Sequence, residues 1–308
     1  MALYKLFYKI VFINSKNEKK LKIEKDFELL KEIKSVGIIL RPQSPELKEV
    51  FIKLQKEFLK IGVISILEDV SAKMIGFNGI DFDLLCKECD FLISVGGDGT
   101  LLGVARKAFK YDIPIIGINL GTLGFLTDLN LDDLDEFIDD LQSNNYKINA
   151  RMMIEASIND KAFIAFNDIV ISRKNISSML KIKAKINKKA FNTYFGDGVI
   201  VSTPSGSTAY NLSVGGPIVY PLTDAFIITP VAAHSLTQRP LVMPADIEIE
   251  FKVPQNQEAV VIVDGQESFE LKQNESLNIK IAKKKARMLH RNSRDFFKVL
   301  NDKLRWGN

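Results

Sequence analysis

Two glycine-rich segments, one in each half of the chain, constrain its fold more than any other feature. The first, Gly96–Thr100, follows the apolar run Phe91–Val95 and therefore indicates a turn at the carboxyl end of a buried strand. Open α/β sheets bind ligands at such turns, because glycines let backbone N–H groups approach a phosphate closely. Asp98 lies among these glycines. A carboxylate repels a neighbouring phosphate, so its presence here implies either a bound cation or a proton that the carboxylate transfers. We therefore expect a phosphoryl-transfer site at this turn.

The second glycine-rich region lies around Thr203–Tyr210, which reads TPSGSTAY. It is flanked by Gly196–Gly198 on one side and Gly215–Pro217 on the other. The region combines hydroxyl groups, an aromatic ring and backbone donors in one long loop. This composition suits a bound nucleotide better than a packed core.

The hydrophobic pattern indicates two kinds of architecture. In the first half, strands are expected at the apolar runs 36–40, 63–67, 91–95 and 113–118. These strands alternate with amphipathic helices, a pattern typical of a parallel sheet. The helix after the glycine turn is expected to begin near Thr100. Beyond the acidic helix Leu131–Gln142, short β-rich segments follow at residues 153–158, 162–171, 180–186, 190–195, 199–202, 247–253 and 260–263.

These patterns divide the chain into parts. Residues 1–34 are an extension of unknown role, residues 35–148 an α/β domain with a parallel sheet, and residues 149–281 a β-rich dinucleotide-binding domain. Residues 282–308 combine basic side chains with apolar ones, and we expect this tail to pack back on the α/β domain. The active site is expected in the crevice between the two domains.

Composition excludes several classes of protein. The chain has 308 residues, of which 46% are hydrophobic, enough to build real cores. Its net charge of +4 is too mild to indicate nucleic-acid binding. No apolar run approaches the roughly 20 residues of a membrane helix, and Lys5 and Lys9 interrupt the apolar start, which lacks a cleavage site. We expect a cytoplasmic protein without nucleic-acid or membrane partners.

The two cysteines, Cys86 and Cys89, lie within or just past a helix expected at Asp81–Glu88. Two cysteines are too few for a disulfide framework, and no second ligand pair is near enough for a zinc site. We expect both to pack in the core.

Other familiar phosphate sites are missing from the sequence. There is no Gly-x-x-x-x-Gly-Lys-Ser/Thr loop, no Gly-x-Gly-x-x-Gly after a strand, and no protein-kinase signature. Instead, four segments together resemble the motifs of the NAD kinase family in order and spacing. They are Gly96–Thr100, Asn119–Leu126, Asn167–Asp168 and Asp197–Pro217. Lipid kinases share the first element, whereas the Thr203–Tyr210 run separates them from this family. The similarity extends from about Ser35 to the tail.

The resemblance implies transfer of the γ-phosphoryl group of ATP, or of polyphosphate in some members, to the 2′-hydroxyl of the adenosine ribose of NAD, giving NADP. A ribose hydroxyl is a poor nucleophile, so Asp98 is expected to accept its proton as general base. The alternative is that Asp98 only caps the following helix. Because the phosphates of ATP would approach the pyrophosphate of NAD, magnesium is expected with ATP.

By the same resemblance, Asn167 and Asp168 hold adenosine, the amide at the adenine edge and the carboxylate at the ribose hydroxyls. On spacing alone they would be an ordinary turn. Residues expected to contact NAD are Gly99, Leu102, Phe125, Asn167, Asp168, Asp197, Ser205, Thr208, Ala209, Tyr210 and Ser213. Asp197 and Ser213 are expected to face the nicotinamide end. Residues expected to contact phosphate or ATP are Gly96, Gly97, Thr100 and Arg239.

Two rival functions stay open at this point. A lipid or other small-alcohol kinase would share the Gly96–Thr100 site, and a non-catalytic NAD(P) sensor would share the dinucleotide loop. The choices between ATP and polyphosphate, and between NAD and NADH, are also open. The family typically assembles through its β domain, so a homo-oligomer, a dimer or tetramer, is expected.

Overall fold

The computed structural model describes residues 29–30, 32–121, 124–175, 179–235, 237–273 and 275–305. Most of the expected extension, residues 1–34, lies outside these ranges, as do Thr122 and Leu123 of the Asn119–Leu126 motif. The α-helices are α1 (Lys48–Lys60), α2 (Asp69–Ile75), α3 (Phe82–Glu88), α4 (Asp98–Ala108), α5 (Leu134–Gln142), α6 (Tyr210–Ser213) and α7 (Phe296–Leu304). Short 3-10 turns cover Pro45–Leu47, Phe109–Tyr111, Leu131–Asp133 and Ser205–Thr208.

The first sheet has seven strands: β1 (Ser35–Leu40), β2 (Ile64–Leu67), β3 (Phe91–Gly96), β4 (Ile115–Asn119), β5 (Leu129–Asn130), β6 (Tyr146–Arg151) and β19 (Ala286–Arg291). Their order is β2-β1-β3-β4-β19-β6, with β5 paired to β4. All pairs are parallel except β19 with β6. Apolar side chains of α1, α2 and α5 pack on one face, and those of α3 and α4 on the other. The expected α/β architecture with a parallel sheet is confirmed.

The remaining strands form two antiparallel sheets of six. One has the order β11 (Lys189–Gly196), β10 (Leu180–Ile186), β15 (Ile249–Lys252), β18 (Ser276–Ile281), β7 (Ile154–Ile158), β8 (Lys161–Ala165). The other has the order β14 (Leu241–Pro244), β13 (Ala225–Val231), β12 (Gly198–Ser202), β9 (Asp168–Arg173), β16 (Ala259–Val263), β17 (Glu267–Leu271). Side chains of both sheets share one hydrophobic core, so the sheets pack face to face. The expected β-rich second half is confirmed.

Three local details differ from the sequence-based expectations. The run 162–171 is two strands, β8 and β9, because the chain breaks its ladder at Phe166 and Asn167. Helix α4 begins at Asp98 rather than near Thr100. The boundary expected after residue 148 lies inside β6, whose antiparallel partner is β19 from the tail.

Two further expectations concern the packing of the two cysteines and the lack of a membrane helix. Cys86 and Cys89 are free and buried against α4, and burial raises the pKa of each thiol to about 12. Both therefore pack in the core as expected. In the described part of the chain, no helix is both long and apolar enough to cross a membrane.

Candidate functional site

The Gly96–Thr100 turn connects the carboxyl end of β3 to the start of α4. A Cβ atom at Gly96 would lie 2.4 Å from Thr100 Oγ1, so packing inside the turn requires this glycine. A Cβ atom at Gly97 or Gly99 would meet no atom within 4 Å. The open side of these two glycines lies at the N-terminus of α4, where exposed N–H groups and the helix dipole favour an anion.

Asp98 does not cap its own helix. The N-cap position is Gly97, which makes no side-chain cap. Instead the Asp98 carboxylate accepts hydrogen bonds from the loop after β4: Oδ2 from the N–H groups of Phe125 (2.8 Å) and Leu126 (3.2 Å), and Oδ1 from the N–H and hydroxyl of Thr127 (both 3.0 Å). A carboxylate offers about four lone-pair positions, and these bonds use them all. The capping role considered from sequence is thus wrong.

Arg294 holds the same loop from the opposite side. Its Nη2 donates to the carbonyl oxygens of Phe125 (2.9 Å) and Gly124 (3.4 Å). The C=O and N–H of a trans peptide point in opposite directions, so the two peptide units around Phe125 lie between the Asp98 carboxylate and the Arg294 guanidinium. Arg294 Nε in turn lies 2.7 Å from Oδ1 of the buried Asp128.

Asp128 belongs to a buried charged cluster behind the loop. Its carboxylate lies 2.8 Å from His290 Nδ1, and His290 Nε2 lies 3.2 Å from Arg151 Nη2. Burial alone would raise the pKa of Asp128, but the charges of His290 and Arg294 hold it below its usual value. The ion pair with Arg294 therefore persists at neutral pH and anchors the loop.

Asn167 and Asp168 lie where β8 passes into β9, and Asp264 fixes their backbone. The Asp264 carboxylate accepts three successive N–H groups, those of Phe166 (2.8 Å), Asn167 (2.7 Å) and Asp168 (3.0 Å). Charge-assisted bonds of this kind are the stronger class of hydrogen bond. This clamp explains why the apolar run does not continue as one strand.

Asp168 is buried, with only 4% of its surface exposed. Desolvation, with a smaller contribution from the negative charge of Asp264, raises the pKa of Asp168 to about 7. A buried acid with such a pKa is typical of functional sites.

The Thr203–Tyr210 segment packs directly on Asn167. The Thr203 N–H donates to Asn167 O at 2.8 Å, and its hydroxyl donates to Phe166 O at 2.7 Å. A Cβ atom at Gly206 would lie 2.1 Å from Asn167 O, so only glycine permits this approach. Two predicted binding segments are therefore in contact.

Both halves of the chain line one cavity of about 60 Å³. Phe125 and Leu126 line it from the loop that holds Asp98, and Ser205 and Thr208 line it from the dinucleotide segment. Several buried side-chain atoms of the described residues have no hydrogen-bond partner, and two of them, Ser205 Oγ and Asn167 Oδ1, belong to the predicted binding segments. Buried polar atoms are normally paired, so these two are free to recognise a ligand.

The structure does not gather every predicted residue into this site. Asp197 precedes β12, whereas Ser202 ends it, so the two residues lie roughly 16 Å apart at 3.3 Å per residue. The Asp197 Oδ2 atom is 3.2 Å from Arg173 Nη2. Arg239 is exposed just before β14.

The remaining predicted residues differ in exposure. Tyr210 and Ser213 are exposed on α6, which follows the dinucleotide segment directly, and Ala209 is half-buried before it. Leu102 is buried in the core beneath α4.

Sequence reasoning gave no role to Thr127, Asp264, Gln266 or Arg106, all of which contact the site. Asp264-Gly265 is a hairpin-turn signal between two apolar β segments, and it could have located the turn. The acceptor role of Asp264 toward a segment nearly a hundred positions earlier in the chain has no local signal.

Comparisons with known proteins agree on one family. Residues 82–146 match the family model of the ATP-NAD kinase N-terminal domain, and residues 166–291 match that of the ATP-NAD kinase C-terminal domain. An NAD kinase of Sulfurimonas denitrificans is 50% identical over 279 residues, covering 89% of this chain and 98% of that protein. An NAD kinase of Wolinella succinogenes is 45% identical over 282 residues, covering 90% and 97%.

Two solved structures share the fold. A yeast NADH kinase complexed with NADH superposes with a TM-score of 0.80 at 23% identity, covering 90% of this chain and 89% of that one. An NAD kinase from Archaeoglobus fulgidus in complex with ATP superposes with a TM-score of 0.70 at 24% identity, covering 88% and 98%.

Proposed function

Since this chain belongs to the NAD kinase family and is a phosphotransferase acting on NAD, we propose that it transfers the γ-phosphoryl group of ATP to the 2′-hydroxyl of the adenosine ribose, with Asp98 as the general base. One observation carries the proposal. The turn that bears Asp98 and the Asn167–Asp168 pair come from different sheets, yet the Asp264–Gln266 turn bonds to both.

In the proposed reaction, a carboxylate oxygen of Asp98 takes the proton of the 2′-hydroxyl while the ribose oxygen forms its bond to the γ-phosphorus and ADP leaves. The loop contacts occupy all four lone-pair positions of Asp98. Substrate binding must therefore displace at least one loop N–H or the Thr127 hydroxyl. We propose that the adenosine ribose replaces this contact.

Nucleotide contacts follow from the unpaired atoms of the cleft. We propose that Asn167 Oδ1 and Ser205 Oγ, both unpaired, bind the adenine edge. We propose that the carboxylate of Asp168, the next residue along the chain, binds the ribose hydroxyls. The yeast enzyme is complexed with NADH and the Archaeoglobus enzyme with ATP, and these are the two classes of substrate proposed for this chain.

Magnesium is proposed as the companion of ATP. Within the described ranges, no group of three or more His, Cys, Asp or Glu residues could hold a metal ion. Phosphate oxygens and water would therefore supply most ligands of the ion, as Mg²⁺ commonly prefers. Its contribution would be to neutralise charge on the transferred phosphoryl group.

We further propose a cytoplasmic homo-oligomer, a dimer or tetramer that assembles through the β-rich half. Phe191 and Phe195 of β11 and Leu241 and Val242 of β14 are between 38% and 45% exposed. Exposed apolar groups of this kind favour association. Sedimentation velocity of the purified chain tests the oligomeric state.

The test of function is a coupled assay for NADP formed from NAD with ATP and magnesium, with polyphosphate and NADH tried in parallel. NADP formation would support the proposed reaction and rank the donors and acceptors. Phosphorylation of sphingosine or diacylglycerol but not NAD would contradict it, as would tight NADP binding without turnover with either donor.

Alanine at Gly97 is expected to spare the fold and impair use of ATP. A Cβ atom there meets no protein atom within 4 Å, and the backbone φ of −102° is open to alanine. The methyl group would instead stand where a phosphate approaches the N-terminus of α4. We expect an unchanged melting temperature and a KM for ATP raised about tenfold, the equivalent of ~1.4 kcal/mol. An unchanged KM would place the phosphate elsewhere.

Asparagine at Asp168 is expected to stabilise the protein at high pH while weakening NAD binding. The folded pKa of about 7 exceeds the ordinary 3.8, so wild-type stability falls as pH rises through this interval and stays reduced above it. The neutral variant escapes that loss. Its melting temperature should exceed that of wild type more at about pH 8 than at about pH 5. Asp160→Asn, on an exposed turn, serves as the control and should show no such difference.

A further inference from the structure

The turn between β16 and β17, residues Asp264–Gln266, touches both halves of the proposed site. Asp264 and Gly265 both have positive φ, 51° and 64°, which folds the turn back tightly. The side chain of Asp264 has no exposed surface and binds the N–H groups of Asn167 and Asp168. One end of the turn therefore holds the segment proposed to bind adenosine.

The other end of the turn reaches the glycine segment. Gln266 Nε2 donates to Gly99 O at 2.8 Å, immediately after Asp98. Gln266 Oε1 accepts a long hydrogen bond from Arg106 Nη1 at 3.4 Å. Both contacts agree on which end of the amide is the oxygen and which is the nitrogen. A Cβ atom at Gly103 would lie 3.4 Å from Gln266 Oε1, so the amide lies on the surface of α4.

Arg106 joins the helix that begins at Asp98 to this turn. Its side chain is 10% exposed and lies 3.4 Å from Asp264 Oδ2 and 2.6 Å from Glu267 Oε1. Its Nε also donates to Ile164 O at 3.0 Å, at the end of β8. A guanidinium group presents its donors in a rigid fork, so this contact fixes the orientation of α4 relative to the second sheet pair.

We infer that the Asp264–Gln266 turn acts as a spacer that sets the distance between Asp98 and the adenosine-binding pair, with Gln266 and Arg106 as positioning residues for phosphoryl transfer. The inference rests on the proposed function of Asp98, Asn167 and Asp168. Reacting groups must stand within a narrow range of distance and direction, and a shift of 1 Å can cost about 10²-fold in rate.

The two ends of the spacer have different kinetic consequences. Asp264 shapes the adenosine-binding backbone, so its loss affects NAD binding together with the fold. Among the described residues, the side-chain amide of Gln266 is hydrogen-bonded to Gly99 O and Arg106 Nη1 and not to Asn167 or Asp168. Loss of Gln266 should therefore misplace Asp98 relative to bound NAD and lower kcat without changing the affinity for NAD.

The experiment compares Gln266→Leu and Gln266→Glu with wild type. Leucine removes the bond to Gly99 O, and glutamate places a carboxylate oxygen against that carbonyl while keeping the acceptor for Arg106. We expect kcat to fall about 5- to 50-fold with leucine and further with glutamate. The NAD dissociation constant, measured by calorimetry, should stay within about twofold.

Gln257→Leu provides the matched control. Gln257 also donates to a backbone carbonyl, Met179 O at 3.0 Å, and accepts a backbone N–H, that of Lys181 at 2.8 Å. Its bonds link β10 to the segment before β16, away from the Asp98 turn. We expect its kcat and NAD affinity to equal those of wild type.

Hydrogen exchange of residues 97–103 with NAD bound gives a readout independent of turnover. Faster exchange in both Gln266 variants, with exchange in Gln257→Leu equal to wild type, would support the spacer. Equal exchange and equal kcat in the Gln266 variants would overturn it, as would a rise in the NAD dissociation constant at constant kcat. A wild-type chain that forms no NADP would contradict the proposed function, whereas the exchange comparison would still decide for or against the spacer.

Discussion

Asp98→Asn is expected to lower the rate of NADP formation by about 10²–10⁴-fold, the range typical of a lost general base, while NAD still binds. The amide has nearly the shape of the carboxylate but cannot take the proton of the 2′-hydroxyl. The measurement is single-turnover NADP formation together with the NAD dissociation constant. An unchanged rate would remove Asp98 from the chemistry.

The structure adds a second consequence to this substitution. One of the two oxygens becomes an NH₂ group, and each oxygen faces two donors of the 125–127 loop. The variant therefore also weakens the anchoring of the loop. Thr127→Val separates the two effects, because it leaves the carboxylate intact and removes one of its four loop contacts. The same hydroxyl also accepts from Asn119 Nδ2 and Gly124 N–H, so the variant loosens the loop by up to three hydrogen bonds. We expect a smaller loss of rate than for Asp98→Asn, about tenfold; a loss equal to that of Asp98→Asn would assign Asp98 to loop anchoring alone.

Gly206→Ala is expected to abolish tight NAD binding and to lower stability. The new Cβ atom would lie 2.1 Å from Asn167 O and 2.5 Å from its carbonyl carbon, both backbone atoms that cannot rotate away. The Thr203–Tyr210 segment must then separate from Asn167 and lose the bond from Thr203 N–H. Forcing an atom into a packed site typically costs about 1–3 kcal/mol. We expect a lower melting temperature and a KM for NAD raised more than about tenfold.

Gly97→Ala is the comparison for this variant, since it adds the same methyl group to a glycine with open space around it. The two substitutions should have different effects on stability and on ligand affinity. Gly206→Ala should lose stability and NAD affinity, whereas Gly97→Ala should keep both and lose affinity for ATP. Equal melting temperatures for wild type and Gly206→Ala would show that the segment has room that the structure does not reveal.

The family and the fold class were both predictable from sequence, and both are confirmed. Apolar periodicity located β1, β3 and β4 within one or two residues, because buried parallel strands read as continuous apolar runs. The Gly96–Thr100 motif fixed the position of Asp98 at a sheet edge. Strands and turns of this kind are specified by a few adjacent residues, so a short window of sequence is enough to predict them.

Long-range contacts were not predictable in the same way. The start of α4 at Asp98 depends on donors from the 125–127 loop, and the division of β8 from β9 depends on Asp264. Each partner lies far along the chain, so no single window of sequence contains both. The distance between Asp197 and Ser202 in one chain is likewise set by β12 and not by the motif in which both lie.

The place of β19 in the first sheet has a consequence for biosynthesis. This strand lies between β4 and β6, so the sheet has a gap until residue 291 has been made. A ribosome adding roughly 5–20 residues per second would expose the edges of β4 and β6 for on the order of ten seconds. Unpaired edges invite pairing with other chains. The α/β half of the nascent chain therefore has two strand edges that a chaperone could protect during this interval.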